Sequence, residues 1–189
     1  TAAARLRGVR VAFHAIGYDR LSSRGSRWLA LGAMRLAHYR SLRDVESRSI
    51  VADLGLTAPC EVLPDLAFAL ELPLVPEPAG FSDVTPYVVV NPVSHRMWSH
   101  GQDAGYDAYL QTYVDLCRWL LTRGLAVTLA STQDTMDAAA LEHVAAHLAA
   151  DGRPGWTLQR VTRLDEFLPL AQRAQLVVSS RLHGLILPL

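Results

Sequence analysis

The stretch YVVVN (residues 87–91) decides the fold class of this chain. It is short, almost wholly apolar and rich in β-branched residues, which is typical of a parallel strand buried on both faces. Similar segments recur along the chain, and segments with apolar residues three and four positions apart lie between them. We therefore predict an α/β fold with two Rossmann-like units, each built on a parallel sheet.

The same patterns predict the individual elements. Strands are expected near residues 9–13, 39–42, 60–63, 87–91, 125–130, 156–160 and 175–179. Helices are expected near residues 25–38, 44–54, 106–123, 134–150 and 165–173. Because Pro188 follows Gly184 closely, a helix after the last strand should be short or kinked.

Domain boundaries follow from a proline-rich stretch at residues 73–85, which is the best candidate for a linker. Residues 1–72 are then expected to be the later part of an N-terminal α/β domain, and residues 86–189 a truncated C-terminal Rossmann-like domain. The chain starts without methionine and ends soon after a strand, so we expect a fragment of a longer two-domain protein.

Composition restricts the function. Of the 189 residues, half are apolar, and 18 arginines without a single lysine balance 18 acidic residues. This balance argues against a nucleic-acid partner and favours a small molecule. Without lysine, any anion must be held by arginine, backbone N–H groups or a helix end.

Neither a membrane span nor a signal peptide is evident, so we expect a cytoplasmic protein, with the inner face of the membrane as an alternative. Cys60 and Cys117 show no CxxC spacing and are expected to be core residues or free thiols. His143 and His147 are four apart, but they lack the HExxH pattern, and we predict a solvated helix face rather than a metal site.

Chemistry is expected beyond the carboxyl ends of the strands, where parallel sheets bind ligands. A long loop after residue 91 holds Ser94, His95, Arg96, Trp98 and His100; Trp98 could stack on a sugar or cover the sheet edge. In the loop after residue 130, Asp134 is the expected helix cap. A cleft between the two sheet edges is the predicted binding site.

Two acidic residues in the first half have structural as well as functional interpretations. Asp44 fits the N-cap of a helix that ends at Gly55, with Arg43 beside it as a surface or pairing residue. Asp65 follows a proline and could simply fix a turn.

The final motif SSRLHG, residues 179–184, is harder to explain structurally. Arg181 and His183 stand at the start of a helix, where the dipole disfavours cations, so the pair suits a bound phosphate or carboxylate. A structural Arg–His pair is the alternative.

Three ordered motifs resemble the polysaccharide pyruvyl transferase family over residues 39–187. They are a strand followed by Arg-Asp and then Ser before a helix and LGL, the sequence PDLAF, and the sequence RLHG. Gln175 departs from the aspartate usual in the family. The resemblance implies a two-domain architecture similar to GT-B glycosyltransferases, with the site between the domains, and no cofactor. It also implies transfer of pyruvate from phosphoenolpyruvate to two hydroxyls of a sugar, giving a cyclic ketal, with a glycan or lipid-linked sugar as acceptor.

The resemblance also suggests residue roles. His183 would donate a proton to the methylene carbon or balance the leaving phosphate, and Asp65 or Asp44 would accept a hydroxyl proton. The expected substrate-binding residues are Arg181, Gly184, Arg96, Arg43, Ser180 and Asn91. Gly184 would let the ligand approach the helix closely. Alternative functions are a nucleotide-sugar glycosyltransferase or epimerase of GT-B type and a non-catalytic sugar-binding domain.

Overall fold

A computed structural model describes residues 1–71, 86–94 and 104–188 of the chain. The chain divides into two compact units, Thr1–Glu71 and Leu72–Leu189. Across the described ranges it is an α/β protein with two parallel sheets and seven α-helices. The predicted linker, residues 73–85, lies outside the described residues. The domain boundaries and the GT-B arrangement therefore stay predictions.

The first unit holds a parallel sheet of three strands in the order β1-β2-β3. Its elements are α1 (Ala2–Leu6), β1 (Ala12–Ile16), α2 (Arg24–Leu36), β2 (Tyr39–Leu42), α3 (Val45–Asp53), β3 (Glu61–Val62) and a 3-10 turn (Leu66–Ala69). Helix α1 was not predicted. Strand β1 lies three residues later than predicted at each end and contains a register shift. Ala15, with φ of +46°, occupies the left-handed region within this irregularity.

Local capping explains where the first unit's helices begin. Ser23 caps α2 by accepting a hydrogen bond from the N–H of Ser26 at 3.0 Å. Asp44 caps α3 in the same way, with the N–H of Ser47 at 2.6 Å from its Oδ1. The predicted N-cap role of Asp44 is thus confirmed, and Gly55, with φ of +91°, follows the helix end.

The second unit holds a parallel sheet of four strands in the order β6-β5-β4-β7. Its elements are β4 (Tyr87–Asn91), α4 (Ala104–Thr122), β5 (Ala126–Leu129), α5 (Asp134–Ala150), β6 (Trp156–Leu158), α6 (Leu164–Gln172), β7 (Leu176–Ser179) and α7 (Leu182–Ile186). In register, Val88 of β4 pairs with Val127 of β5 on one side and with Leu176 of β7 on the other. The predicted strands and helices of this half are confirmed within a few residues, and α7 is short, as expected.

Strand β4 is buried on both faces of the second sheet. Val88 and Val90 belong to a core shared with α4 and α5, whereas Val89 points to the other face and packs with Phe167 and Ala171 of α6. This alternation follows from the two-residue period of a strand. It confirms the expectation drawn from YVVVN, that a continuous apolar run marks a strand covered on both sides.

Both cysteines are free thiols, as predicted: Cys117 is buried in α4 and Cys60 is half-buried just before β3. Within the described ranges, no helix is long and apolar enough to cross a membrane. Because all strands of the second sheet are parallel, the segments that follow β4, β5, β6 and β7 meet at one edge. This carboxyl edge is where the candidate site lies.

Candidate functional site at the carboxyl edge of the second sheet

Arg181 follows β7 and forms a double hydrogen bond with Asp137 of α5. Its Nε donates to Oδ2 at 2.9 Å and its Nη2 donates to Oδ1 at 2.7 Å. The Asp137 side chain is fully buried, and that of Arg181 is 16% exposed. These bonds raise the pKa of Arg181 above its ordinary value, so the guanidinium stays charged. The ion pair is therefore an internal feature of the second unit.

Asp137 is the functional candidate that sequence reasoning missed. Besides Arg181, it accepts hydrogen bonds from the hydroxyl of Ser131 at 2.5 Å and from the N–H of Ser94 at 3.1 Å. Its carboxylate thus joins the segments after β4, β5 and β7 to the first turn of α5. Helix α5 begins at Asp134 with Gln133 at the N-cap position, so the predicted cap at Asp134 is wrong.

His183 lines a cavity of about 180 Å³ at the same edge. The walls come from the segments after β5, β6 and β7, because each of those strands ends here. The other lining residues are Thr132, Gln133, Thr162, Arg163, Leu164, Phe167 and Leu187. Thr132, Gln133 and Thr162 carry hydroxyl or amide groups, so the lining of this cavity includes groups that can hydrogen-bond a polar ligand.

A second cavity of about 240 Å³ adjoins the first and shares Thr132, Gln133 and Thr162 with it. Its remaining walls are Thr135 and Met136 of α5, together with Val161. The two cavities together follow the ends of β5 and β6, and the N-terminal turn of α5 borders the second one.

Arg163 is the cation of the cavity wall, and it is already paired. Its Nε and Nη2 donate to the two carboxylate oxygens of Asp165 at 2.8 and 2.7 Å. Both side chains are largely exposed, so this pair is weak and can open to a ligand. It therefore differs from the buried pair of Arg181.

Gly184 packs directly against the ends of β7 and β4. A Cβ atom here would overlap the hydroxyl of Ser179 and would lie 3.0 Å from the Cβ of Ser179 and 3.1 Å from Nδ2 of Asn91. We expected Gly184 to allow a ligand close to the helix. In the structure, the residues that come close to Gly184 are Ser179 of β7 and Asn91 of β4.

Asn91 ends β4 and is fully buried. Neither its Oδ1 nor its Nδ2 makes a hydrogen bond within the described part of the chain, and the same holds for the hydroxyl of Ser94. Buried polar atoms without partners cost about 1–3 kcal/mol each. Among the described residues, Asn91 therefore places unsatisfied hydrogen-bonding groups at the carboxyl edge. Its role in binding substrate stays a prediction.

Ser180 joins the end of β7 to helix α4. Its hydroxyl accepts a hydrogen bond from Tyr109 at 3.0 Å and lies 2.7 Å from the hydroxyl of Tyr113. Tyr109 in turn accepts a bond from the N–H of Val93 at 2.9 Å. Burial raises the pKa of Tyr113 to about 12, so its phenol is neutral at physiological pH. These contacts give Ser180 a structural role, and its role in binding substrate stays a prediction.

In the first unit, Arg43 lies between two carboxylates. Its Nε is 3.4 Å from Oδ2 of Asp44, and its Nη1 is 3.6 Å from Oδ2 of Asp65. The guanidinium also lies against Gly17, where a Cβ would be 2.5 Å from Nε. Asp65 caps the 3-10 turn by accepting from the N–H of Ala67 at 3.0 Å, so its turn-fixing role is confirmed. The catalytic role of Asp65 and the substrate role of Arg43 stay predictions.

The remaining predicted residues divide into two groups. His143 and His147 lie next to each other on α5, half-buried, with ring centroids 4.5 Å apart. In the portion that the structure describes, no three residues among His, Cys, Asp and Glu are placed to hold a metal ion. The loop residues His95, Arg96, Trp98 and His100 lie outside the described residues.

The comparison with protein families gives one match. The family model described as polysaccharide pyruvyl transferase matches residues 1–189, which is the whole chain. The match is wider than the range of the three motifs, residues 39–187. None of the curated proteins compared with the chain matches it.

Proposed function

The chain belongs to the polysaccharide pyruvyl transferase family, and from this premise we propose that it transfers pyruvate from phosphoenolpyruvate to two hydroxyls of one sugar, forming a cyclic ketal. The observation that carries the proposal is the match over the whole chain. The placement of Arg181 and His183 at one carboxyl edge supports it, because an anionic donor needs a guanidinium and hydrogen-bonding groups there. The acceptor would be a glycan or a lipid-linked sugar. We place the reaction in the cytoplasm, where phosphoenolpyruvate is made.

The proposed reaction has two additions at C2 of the donor. Protonation of the methylene carbon C3 makes C2 an oxocarbenium-like centre, and a first sugar hydroxyl adds to it. The C2–O bond to phosphate then breaks, and a second hydroxyl adds to C2. Of the two hydroxyl protons released, one replaces the proton used at C3 and the other leaves with inorganic phosphate.

His183 is the proposed general acid for the first step. It faces a cavity lined by threonine hydroxyls and the amide of Gln133, groups that can hold a compact polar ligand beside an imidazole. Placement of the acid within reach of C3 would provide about a hundredfold to ten-thousandfold acceleration. In the alternative role, His183 would balance the charge of the leaving phosphate.

The donor is a compact anion with a carboxylate and a phosphate. Arg181 is the proposed principal ligand, because a guanidinium has five N–H donors and Asp137 engages two of its nitrogens. Arg163 can contribute if its exposed pair with Asp165 opens. Arg96 and Arg43 are proposed as additional cations. Gly184, Ser180 and Asn91 complete the proposed donor site.

Asp65 is the proposed acceptor of a hydroxyl proton. Its side chain is mostly buried, and its neighbours are the N–H of Ala67 and the guanidinium of Arg43. A carboxylate is a group that serves as a general base for a hydroxyl proton.

The experiment measures phosphate release from phosphoenolpyruvate in the presence of glycans with free hydroxyl pairs. We expect His183→Ala to lower kcat at least a hundredfold. His147→Ala is the control, because this histidine of the same unit lies on α5 and lines neither cavity. Equal rates for wild type and His183→Ala would remove the histidine from the mechanism.

A binding assay separates this function from that of a nucleotide-sugar enzyme. We expect phosphoenolpyruvate to raise the Tm of the wild-type protein, because a ligand that binds the native state stabilises it. A rise with a nucleoside diphosphate and none with phosphoenolpyruvate would contradict the proposed donor.

A further inference from the structure

We propose that Asp137 is a positioning residue for the donor site: it holds one edge of the Arg181 guanidinium so that the opposite edge is presented to the carboxylate or phosphate of the donor. This inference rests on the proposed function for the identity of the donor. It concerns a residue with no place in the three motifs, and it follows from the contacts that α5 makes with the sheet edge.

The geometry of the pair leaves part of Arg181 available. Asp137 engages the Nε and Nη2 atoms at 2.9 and 2.7 Å. A guanidinium carries one N–H on Nε and two on each of the other nitrogens. Nη1 makes no hydrogen bond to the described residues, and Nη2 keeps a second N–H. These two nitrogens form a second parallel fork, which suits a carboxylate or a phosphate.

Asp137 itself has no capacity left for a ligand. A carboxylate offers about four acceptor sites, and all are used: two by Arg181, one by the hydroxyl of Ser131 and one by the N–H of Ser94. The side chain is also fully buried. Asp137 therefore acts through Arg181 and not on the substrate.

The anchoring of Asp137 fixes where the guanidinium points. Its partners Ser131 and Ser94 follow β5 and β4, the two central strands of the sheet, and Arg181 follows β7. The carboxylate is thus held by three strand ends at once. A ligand that binds the free fork of Arg181 would meet N–H groups that are already oriented. This reduces the entropy cost of ordering the site during binding and reaction.

The pair also sets the charge of the site. Asp137 neutralises Arg181, so replacement by the isosteric asparagine leaves a largely buried guanidinium without its counter-ion. An added anion would then replace the missing charge. We expect Asp137→Asn to bind inorganic phosphate about threefold to tenfold more tightly than wild type, while turnover falls because the orientation of the fork is lost.

The experiment compares four variants of the whole chain with wild type: Asp137→Asn, Arg181→Gln, the double variant with both changes, and Asp151→Asn. The last is a matched control, because Asp151 forms the same kind of double hydrogen bond with Arg118, at 2.7 and 2.9 Å, at the other end of α5. Isothermal titration calorimetry gives the Kd for inorganic phosphate, and the phosphate-release assay gives kcat and KM for phosphoenolpyruvate.

We expect Asp137→Asn to lower kcat at least tenfold without raising KM. Together with the tighter phosphate binding, this is a combination that simple loss of folded protein does not produce. Arg181→Gln should weaken phosphate binding at least tenfold, and the double variant should match it within about twofold, because Asp137 acts only through Arg181. Asp151→Asn should resemble wild type. Ser131→Ala, which removes one anchor and keeps both charges, should lower kcat with phosphate affinity unchanged.

Phosphate affinity that is the same in wild type, Asp137→Asn and Arg181→Gln, or too weak to detect in all of them, overturns the inference. So does wild-type kcat in Asp137→Asn. If wild type releases no phosphate from phosphoenolpyruvate with any acceptor, the proposed function fails, but calorimetry with inorganic phosphate still decides the role of Asp137. If single variants of the pair do not fold, the double variant, which buries no charge at these positions, and Ser131→Ala replace them.

Discussion

Replacing Gly184 by alanine tests how tightly α7 packs on the sheet edge. The added Cβ would overlap the hydroxyl of Ser179 and would lie 3.0 Å from the Cβ of Ser179 and 3.1 Å from Nδ2 of Asn91. The last two distances are tighter than ordinary van der Waals contact, and all three atoms belong to residues held in the sheet. Relief therefore requires either rotation of Ser179 or movement of α7 away from β4 and β7.

The cost can be estimated from the contacts that must change. Rotating Ser179 breaks two hydrogen bonds, one from the N–H of Arg181 to its hydroxyl and one from its hydroxyl to the C=O of Arg181, both 3.0 Å long. Each is worth about 0.5–1.5 kcal/mol. The better helix propensity of alanine returns about 0.5–1 kcal/mol. We expect Gly184→Ala to lower the free energy of unfolding of the second unit by about 1–2 kcal/mol.

Urea unfolding followed by circular dichroism measures this change, with Gly32→Ala as control. Gly32 lies inside α2, where a new Cβ would meet no atom within 4 Å, so alanine should stabilise the first unit by about 0.5–1 kcal/mol. Because the chain has two compact units, the two substitutions are expected to affect different transitions. A Gly184→Ala protein as stable as wild type would refute the packing argument.

Two further predictions concern ionisable groups outside the candidate site. Hydrogen bonds from Ser47 hold the pKa of Asp44 below its ordinary value of 3.8, so its stabilising effect is present at neutral pH and is lost as pH falls through the lowered value. Asp44→Ala should cost about 1 kcal/mol at pH 7, and the difference from wild type in urea unfolding should shrink below pH 4; a pH-independent difference would contradict the assignment. Burial raises the pKa of Cys117 to about 12, so in a Cys60→Ala background a disulfide reagent at pH 8 should label it only after unfolding. Rapid labelling of the native protein would contradict its burial.

The sheet of the second unit was predictable because its strands are continuous apolar runs. Val88, Val89 and Val90 are buried on alternating faces, and a strand covered on both sides has no polar positions to break the pattern. The first unit was less regular. Helix α1 has five residues, no side-chain cap bond and no buried residue, so nothing in its sequence distinguishes it from a loop. Strand β1 is shifted because an irregularity at Ala15 interrupts the ladder, and backbone irregularities of this kind leave little trace in an apolar pattern.

In the candidate site, positions that follow from the local strand pattern were predictable, but contacts between residues far apart in sequence were not. The position of His183 after the last strand follows from the strand pattern and was predicted. The partner of Arg181 could not be found, because Asp137 is far from it in sequence and an acidic residue in the first turn of a helix already has a local explanation. The signal available was the segment STQDTMD, residues 131–137, in which both Ser131 and Asp137 later prove to be buried. Only the fold shows that Asp137, which Ser131 anchors, meets Arg181.

The strand order of the second sheet has a consequence for folding during synthesis. Strand β4 is the first of its sheet to leave the ribosome, but its neighbour on one side, β7, is the last. Until β7 is made, one edge of β4 exposes unpaired backbone groups beside valines that will later be buried, and such edges promote association between nascent chains. Chaperone binding to this edge, or slow translation across the β7 segment, would therefore have a direct effect on the yield of folded protein.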